Sequence, residues 1–245
     1  MSIYGGGEDW FIKYQEPNMK FKKLAQHDNM QRVLKLISLF KMCKYLTANH
    51  LNNSIYFQGN GTNLKRILGK YVSDSILLEH EVYNDCTKMY SVYSLGPQAY
   101  YLAKITDDQY YIQKHDLVTI LKILSTNLLF MNMTRHSWVS AKYDTQNYPF
   151  LSRFEYIRKS HGAAEDNLDK KVSFDVLSIR KHGEDMGIIK NYIENNQERQ
   201  LYIIAHSSDV ARSLNGSLSK SQKITWDAEL LREKNEFDLE KCINN

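Results

Sequence analysis

Gly61-Thr62-Asn63-Leu64-Lys65-Arg66-Ile67-Leu68-Gly69-Lys70-Tyr71 decides how this chain is read. At the 3.6-residue period of a helix, Leu64, Ile67, Leu68 and Tyr71 share one face. Asn63, Arg66 and Lys70 share another, with Lys65 at the flank. One face is suited to packing, the other to solvent or a ligand. Thr62 starts the helix as its cap, and the preceding Gln58-Gly59-Asn60-Gly61 supplies residues that accept the positive backbone angles of a tight turn.

Upstream, Met30, Val33, Leu34, Ile37 and Phe40 recur at helical spacing, with Arg32, Lys35 and Lys41 off that face. Thr47 is a good N-cap for a second, short helix whose Leu51 and Ile55 turn inward. Downstream, Ser75 to Val82 and Lys88 to Ser94 alternate as strands around a turn-rich 83–87. Gly96-Pro97 stops the second strand, and Gln98 to Lys104 reads as a returning helix. Helix, helix, turn, helix, hairpin is the order of a winged helix-turn-helix, expected over 29–105. Residues 1–28 read as a loosely docked arm. Gly5-Gly6-Gly7 lacks the Lys-Ser/Thr sequel of a phosphate loop, and Lys20, Lys22 and Lys23 form a basic cluster.

The net charge of +4 hides an asymmetry. Between Trp10 and Val72 eleven Lys and Arg face two acids, Glu16 and Asp28; this local +9 leaves −5 for the remainder. Such an excess is the footprint of a polyanion partner, because neutralising phosphates releases counterions. The partner expected is double-stranded DNA. Asn60, Thr62, Asn63 and Arg66 are the base-reading candidates. Lys65 and Lys70, with Lys44 and Lys88 as weaker choices, are expected to hold phosphates. The competing reading is a protein-docking module of the same trihelical shape.

The second half, 106–230, is expected as an α/β domain, making the whole α+β. Asp107 to Leu129 is a long apolar helix, either core or a homodimer seam. Trp138 to Tyr143, Phe150 to Arg158 and Val172 to Arg180 read as strands, and Glu184 to Asn195 as a helix. Arg199 to His206 is a buried strand, Ser208 to Leu214 a helix, Lys223 to Trp226 a last strand, and a charged, exposed tail follows over 231–245. The order α-β-β-β-α-β-α-β is that of restriction-endonuclease-like folds. Active members hold magnesium with a carboxylate on one strand and Asp/Glu-x-Lys on the next. Glu155 and Asp175 fall on neighbouring strands, but Leu177 stands at the lysine position, so an inactive relative is expected and no catalytic residue is assigned.

Cys43, Cys86 and Cys242 are far apart and the eight histidines scattered, so neither a disulfide framework nor a metal or cofactor site is expected. No run of about 18 apolar residues occurs and Met1 to Trp10 lacks the pattern of a secretory signal; the expectation is a cytoplasmic protein with no membrane partner.

Val33-Leu34-Lys35-Leu36-Ile37, Tyr45-Leu46-Thr47, Gly61 to Leu68, Ile76-Leu77 and Tyr90 to Ala99 together resemble the N-terminal part of the replication-relaxation family, winged-helix proteins of plasmids and integrative elements. The resemblance covers about 75 residues. It implies a non-enzymatic, sequence-specific DNA-binding accessory protein of a mobile element, acting at a replication or conjugative-transfer origin and meeting replication or transfer proteins there. Roles carry over onto Thr62, Asn63, Arg66 and Lys70. A metal-dependent nuclease using Glu155 and Asp175, and a transcriptional regulator, remain as alternatives.

Overall fold

The computed structural model describes residues 4, 9–17, 30–54, 61–104, 114–135, 141–145, 151–157, 171–180 and 186–232. The chain is mixed α+β with two sheets, and divides into a unit Glu8–Ile120 and a unit formed by Leu121–Asn245 with Met1–Gly7. The division falls later than the 105/106 boundary expected from sequence. Among the described residues no helix is long and apolar enough to cross a membrane.

In the unit Glu8–Ile120, α1 (Met30–Cys43) buries Val33, Leu36, Ile37, Leu39, Phe40 and Cys43. Val33, Ile37 and Phe40 are on the expected face, but Met30 and Leu34 are 38% and 40% exposed. The segment carries two overlapping apolar stripes, and packing selected the one running through Leu36 and Cys43. Lys44 ends the helix at φ 59, its N–H donating to Phe40 O. Leu46 then pairs with Tyr93 through two backbone hydrogen bonds of 3.1 and 2.7 Å. Thr47 caps α2 (Ala48–Asn53) as expected, accepting from His50 N–H, while its own N–H donates to His50 Nδ1. Leu51 is buried; Ile55 lies outside the described residues.

After α3 (Gly61–Ser73) come β2 (Leu77–Asn84) and β3 (Thr87–Leu95), joined by a tight turn with Asp85 at φ 53. The arm expected over 1–28 contains a strand: β1 (Trp10–Lys13) pairs antiparallel with β2, giving the sheet order β1-β2-β3. The remainder of 1–28, apart from residues 4, 9 and 14–17, lies outside the described residues. Gly96, before α4 (Pro97–Leu102), is demanded by close approach: a Cβ there would stand 2.4 Å from Ser75 O, while Gly96 N–H donates to Ile76 O.

Helix α5 (Leu117–Arg135), whose residues from Leu121 belong to the other unit, is buried without interruption from Ile120 to Met133; of its buried polar residues, Ser125 bonds to Asp227, Thr126 to Lys122 O and Asn132 to Leu230 O. Of the helix expected over 107–129, residues 107–113 lie outside the described residues, and residues 114–116 precede the start of α5. Asp116 accepts from Thr119 N–H and Oγ1, both at 2.8 Å, at its start. The sheet runs β4 (Ala141–Thr145), β5 (Leu151–Ile157), β6 (Lys171–Ile179), β7 (Leu201–Ala205), β8 (Gln222–Trp226). The first three strands form an antiparallel meander and the last three are parallel. Phe130 of α5 meets Phe154, which stacks on Phe174, on one face. On the other, Leu177, Ile179, Leu201 and Ile203 pack with Ile189 and Ile193 of α6 (Met186–Asn195) and Leu214 of α7 (Ser208–Asn215). After β8 the chain continues as α8 (Asp227–Arg232), with Asp227 and Leu230 fully buried, and only Leu231 and Arg232 of the tail expected over 231–245 fall within it. Residues 233–245 lie outside the described residues.

Candidate nucleic-acid interface

Burial of Leu64, Leu68 and Tyr71 turns the rest of α3 outward. Asn63, Lys65, Arg66 and Lys70 are all exposed, within one and a half to two turns of each other, and Gly61–Ser73 contains no acid. Arg66 Nη2 donates to Asn63 Oδ1 at 3.2 Å, a one-turn contact that orients the guanidinium along the helix. Among the described residues no carboxylate pairs with Lys65, Arg66 or Lys70. An exposed helix face with three cations and an amide can offer charge to phosphates and donors and acceptors to base edges. Asn60 lies outside the described residues; Thr62 is placed only as backbone, in the first turn of α3.

The two weaker lysines are set apart from this face. Lys44 is half-buried in the left-handed conformation that ends α1. Lys88 is exposed but committed: its Nζ donates to Glu81 Oε1 at 2.6 Å and stands 3.6 Å from Glu79 Oε1. The bond to Glu81 raises the Lys88 pKa, and the same bond, with one from Tyr83 OH, holds the Glu81 carboxyl below its usual range. Lys88 thus stands in an exposed ion pair within the hairpin rather than on the face of α3. The signal was available in sequence, since Leu77–Leu95 carries Glu79, Glu81 and Asp85 against Lys88.

A second polar cluster ties the segment after β1 to the rest of this unit. Tyr14 OH donates to His115 O at 2.6 Å, Tyr45 OH lies 3.1 Å from His115 Nδ1, and Lys114 pairs with Glu16. His80, buried, accepts from Gln15 N–H at Nδ1 and lies 2.8 Å from Ser94 Oγ at Nε2. Burial, with Lys114 nearby, pushes its pKa down to about 4.

In the other unit, Glu155 and Asp175 do lie on adjacent antiparallel strands. The register, however, sets Asp175 opposite Arg153 and Glu155 opposite Ser173. Arg153 Nε meets Asp175 Oδ1 at 3.0 Å and Arg199 Nη1 meets Oδ2 at 3.6 Å. Each carboxylate oxygen thus already faces a guanidinium, which a divalent cation would have to displace. The deeper charge pair is Arg180–Asp227, forked at 2.6 and 3.0 Å with Ser125 and Ser178 hydroxyls around it.

Compared with family models, curated proteins and solved structures, the chain finds no match.

Proposed function

We propose that the unit Glu8–Ile120 is a winged helix-turn-helix that binds double-stranded DNA sequence-specifically through α3. The observation that carries this reading is the outward face of α3, where Asn63, Lys65, Arg66 and Lys70 stand without a carboxylate partner among the described residues while the opposite face is buried. The Leu46–Tyr93 bridge supports it by anchoring the α1–α2 connection to the hairpin, against which α1 and α3 pack. Inserted in a major groove, Arg66 with Asn63 beside it reads a base edge, and Lys65 and Lys70 hold phosphates. The likeness to the replication-relaxation family favours a site of action at the replication or transfer origin of a mobile element.

The test is an anisotropy titration against a site selected from random DNA and against random duplex, at two ionic strengths. Arg66→Ala is expected to weaken the selected site by about 1–3 kcal/mol more than random duplex, whereas Lys65→Ala weakens both alike. Equal losses for both variants refute base reading by Arg66, and no duplex binding at low ionic strength refutes the whole reading.

A further inference from the structure

The charge of the β2–β3 hairpin runs against that of α3. Within Leu77–Leu95, Glu79, Glu81 and Asp85 outnumber Lys88; Lys88 pairs with Glu81 and Glu79, and Lys13 of β1 stands opposite Glu81. Tyr83 OH donates to Glu81 and Ser91 Oγ to Glu79, so both carboxylates are fixed in place. Asp85 projects at the exposed tip, where its backbone N–H donates to Asp9 O.

On the reading of α3 given above, we propose that this hairpin acts by repulsion: its carboxylates weaken attachment to any duplex backbone, so that stable binding depends on the base contacts of α3. Sequence-independent affinity comes from cations neutralising phosphates, and a sheet whose carboxylates outnumber its lysines subtracts from it on every duplex. A complex made at the selected site retains its base contacts. A complex on random DNA has only the backbone term, and falls below useful occupancy.

The full chain is titrated by fluorescence anisotropy against the selected-site duplex and a random-sequence duplex at two ionic strengths, as wild type, Asp85→Asn and Glu79→Gln/Glu81→Gln. Asparagine is at home at the φ of 53° that Asp85 adopts, so Asp85→Asn keeps the test informative even if the double variant melts. Both variants are expected to bind both duplexes more tightly by about three- to tenfold, with a steeper salt dependence and an unchanged ratio between the two duplexes. The double variant, which also releases Lys88, should gain more. If the wild type binds but both variants match it or bind more weakly, the repulsive role is overturned while the role of α3 stands. If no form binds either duplex at low ionic strength, the role of α3 falls and the repulsive role with it.

Discussion

Replacing Arg180 with methionine removes one half of a charge pair that water cannot reach. The Arg180 side chain is 3% exposed and that of Asp227 fully buried. Two guanidinium nitrogens meet the two carboxylate oxygens at 2.6 and 3.0 Å, and Ser125 Oγ donates to Asp227 at 2.8 Å. In Arg180→Met the carboxylate keeps the Ser125 hydroxyl and loses both guanidinium donors, so the variant bears most of the desolvation of a buried charge without its counter-charge, about 3–5 kcal/mol. Pairing it with Asp227→Leu removes the stranded charge, and the double variant should be less destabilised than the two singles summed, by at least about 2 kcal/mol. Urea unfolding followed by the fluorescence of Trp226, with Trp10 and Trp138 replaced by phenylalanine, reports on this region because Trp226 adjoins Asp227. A loss below about 1 kcal/mol in Arg180→Met, or strict additivity, refutes the claim that the pair is dry and mutually dependent.

Gly96→Ala should destabilise the unit Glu8–Ile120 by about 1–3 kcal/mol in thermal or urea melts, because the new methyl meets a backbone carbonyl that cannot swing aside; a wild-type melt would show that the Ser75 turn yields. Stability should also depend on His80. Its folded pKa of about 4 lies below the unfolded value near 6.5, so the stabilisation is intact above pH 6.5 and is lost as pH falls from there toward 4, by about 3 kcal/mol in total. Urea midpoints measured across that window should fall in the wild type and much less in His80→Gln, whose amide can serve both Gln15 N–H and Ser94 Oγ; parallel curves would refute the assignment.

The two faces of α3 were legible from the sequence because its apolar residues recur at a single helical period with cations between them. Helix α1 was misread on one point for the opposite reason. Leucines at 34, 36 and 39 offer more than one stripe, and only tertiary packing chooses among them. β1 escaped notice because four residues carry too little pattern, and their partner strand lies some seventy residues on. The order of strands and helices along the second half followed from alternation and turn residues. The fate of Asp175 did not, since its arginines come from β5 and from the residue pair before β7, and register alone brings them together. The pairing of Lys88 with hairpin carboxylates could have been anticipated from composition, but not the register shift between Val82 and Tyr83 that sets Lys88 opposite Tyr83.

The strand contributed from ahead of α1 changes what the hairpin can do to its neighbours in solution. A bare two-stranded ribbon presents unpaired amides and carbonyls along both margins, an invitation to another chain. With Trp10 to Lys13 seated along Glu81 to Asn84 of β2 and Phe11 stacked on Tyr83 at 5.2 Å, half of that margin is already occupied from within. Completing it requires the two ends of a long intervening stretch to meet, so the sheet closes late in folding, and a chain clipped before Lys13 would open a sticky seam along Glu81 to Asn84 that the intact one covers.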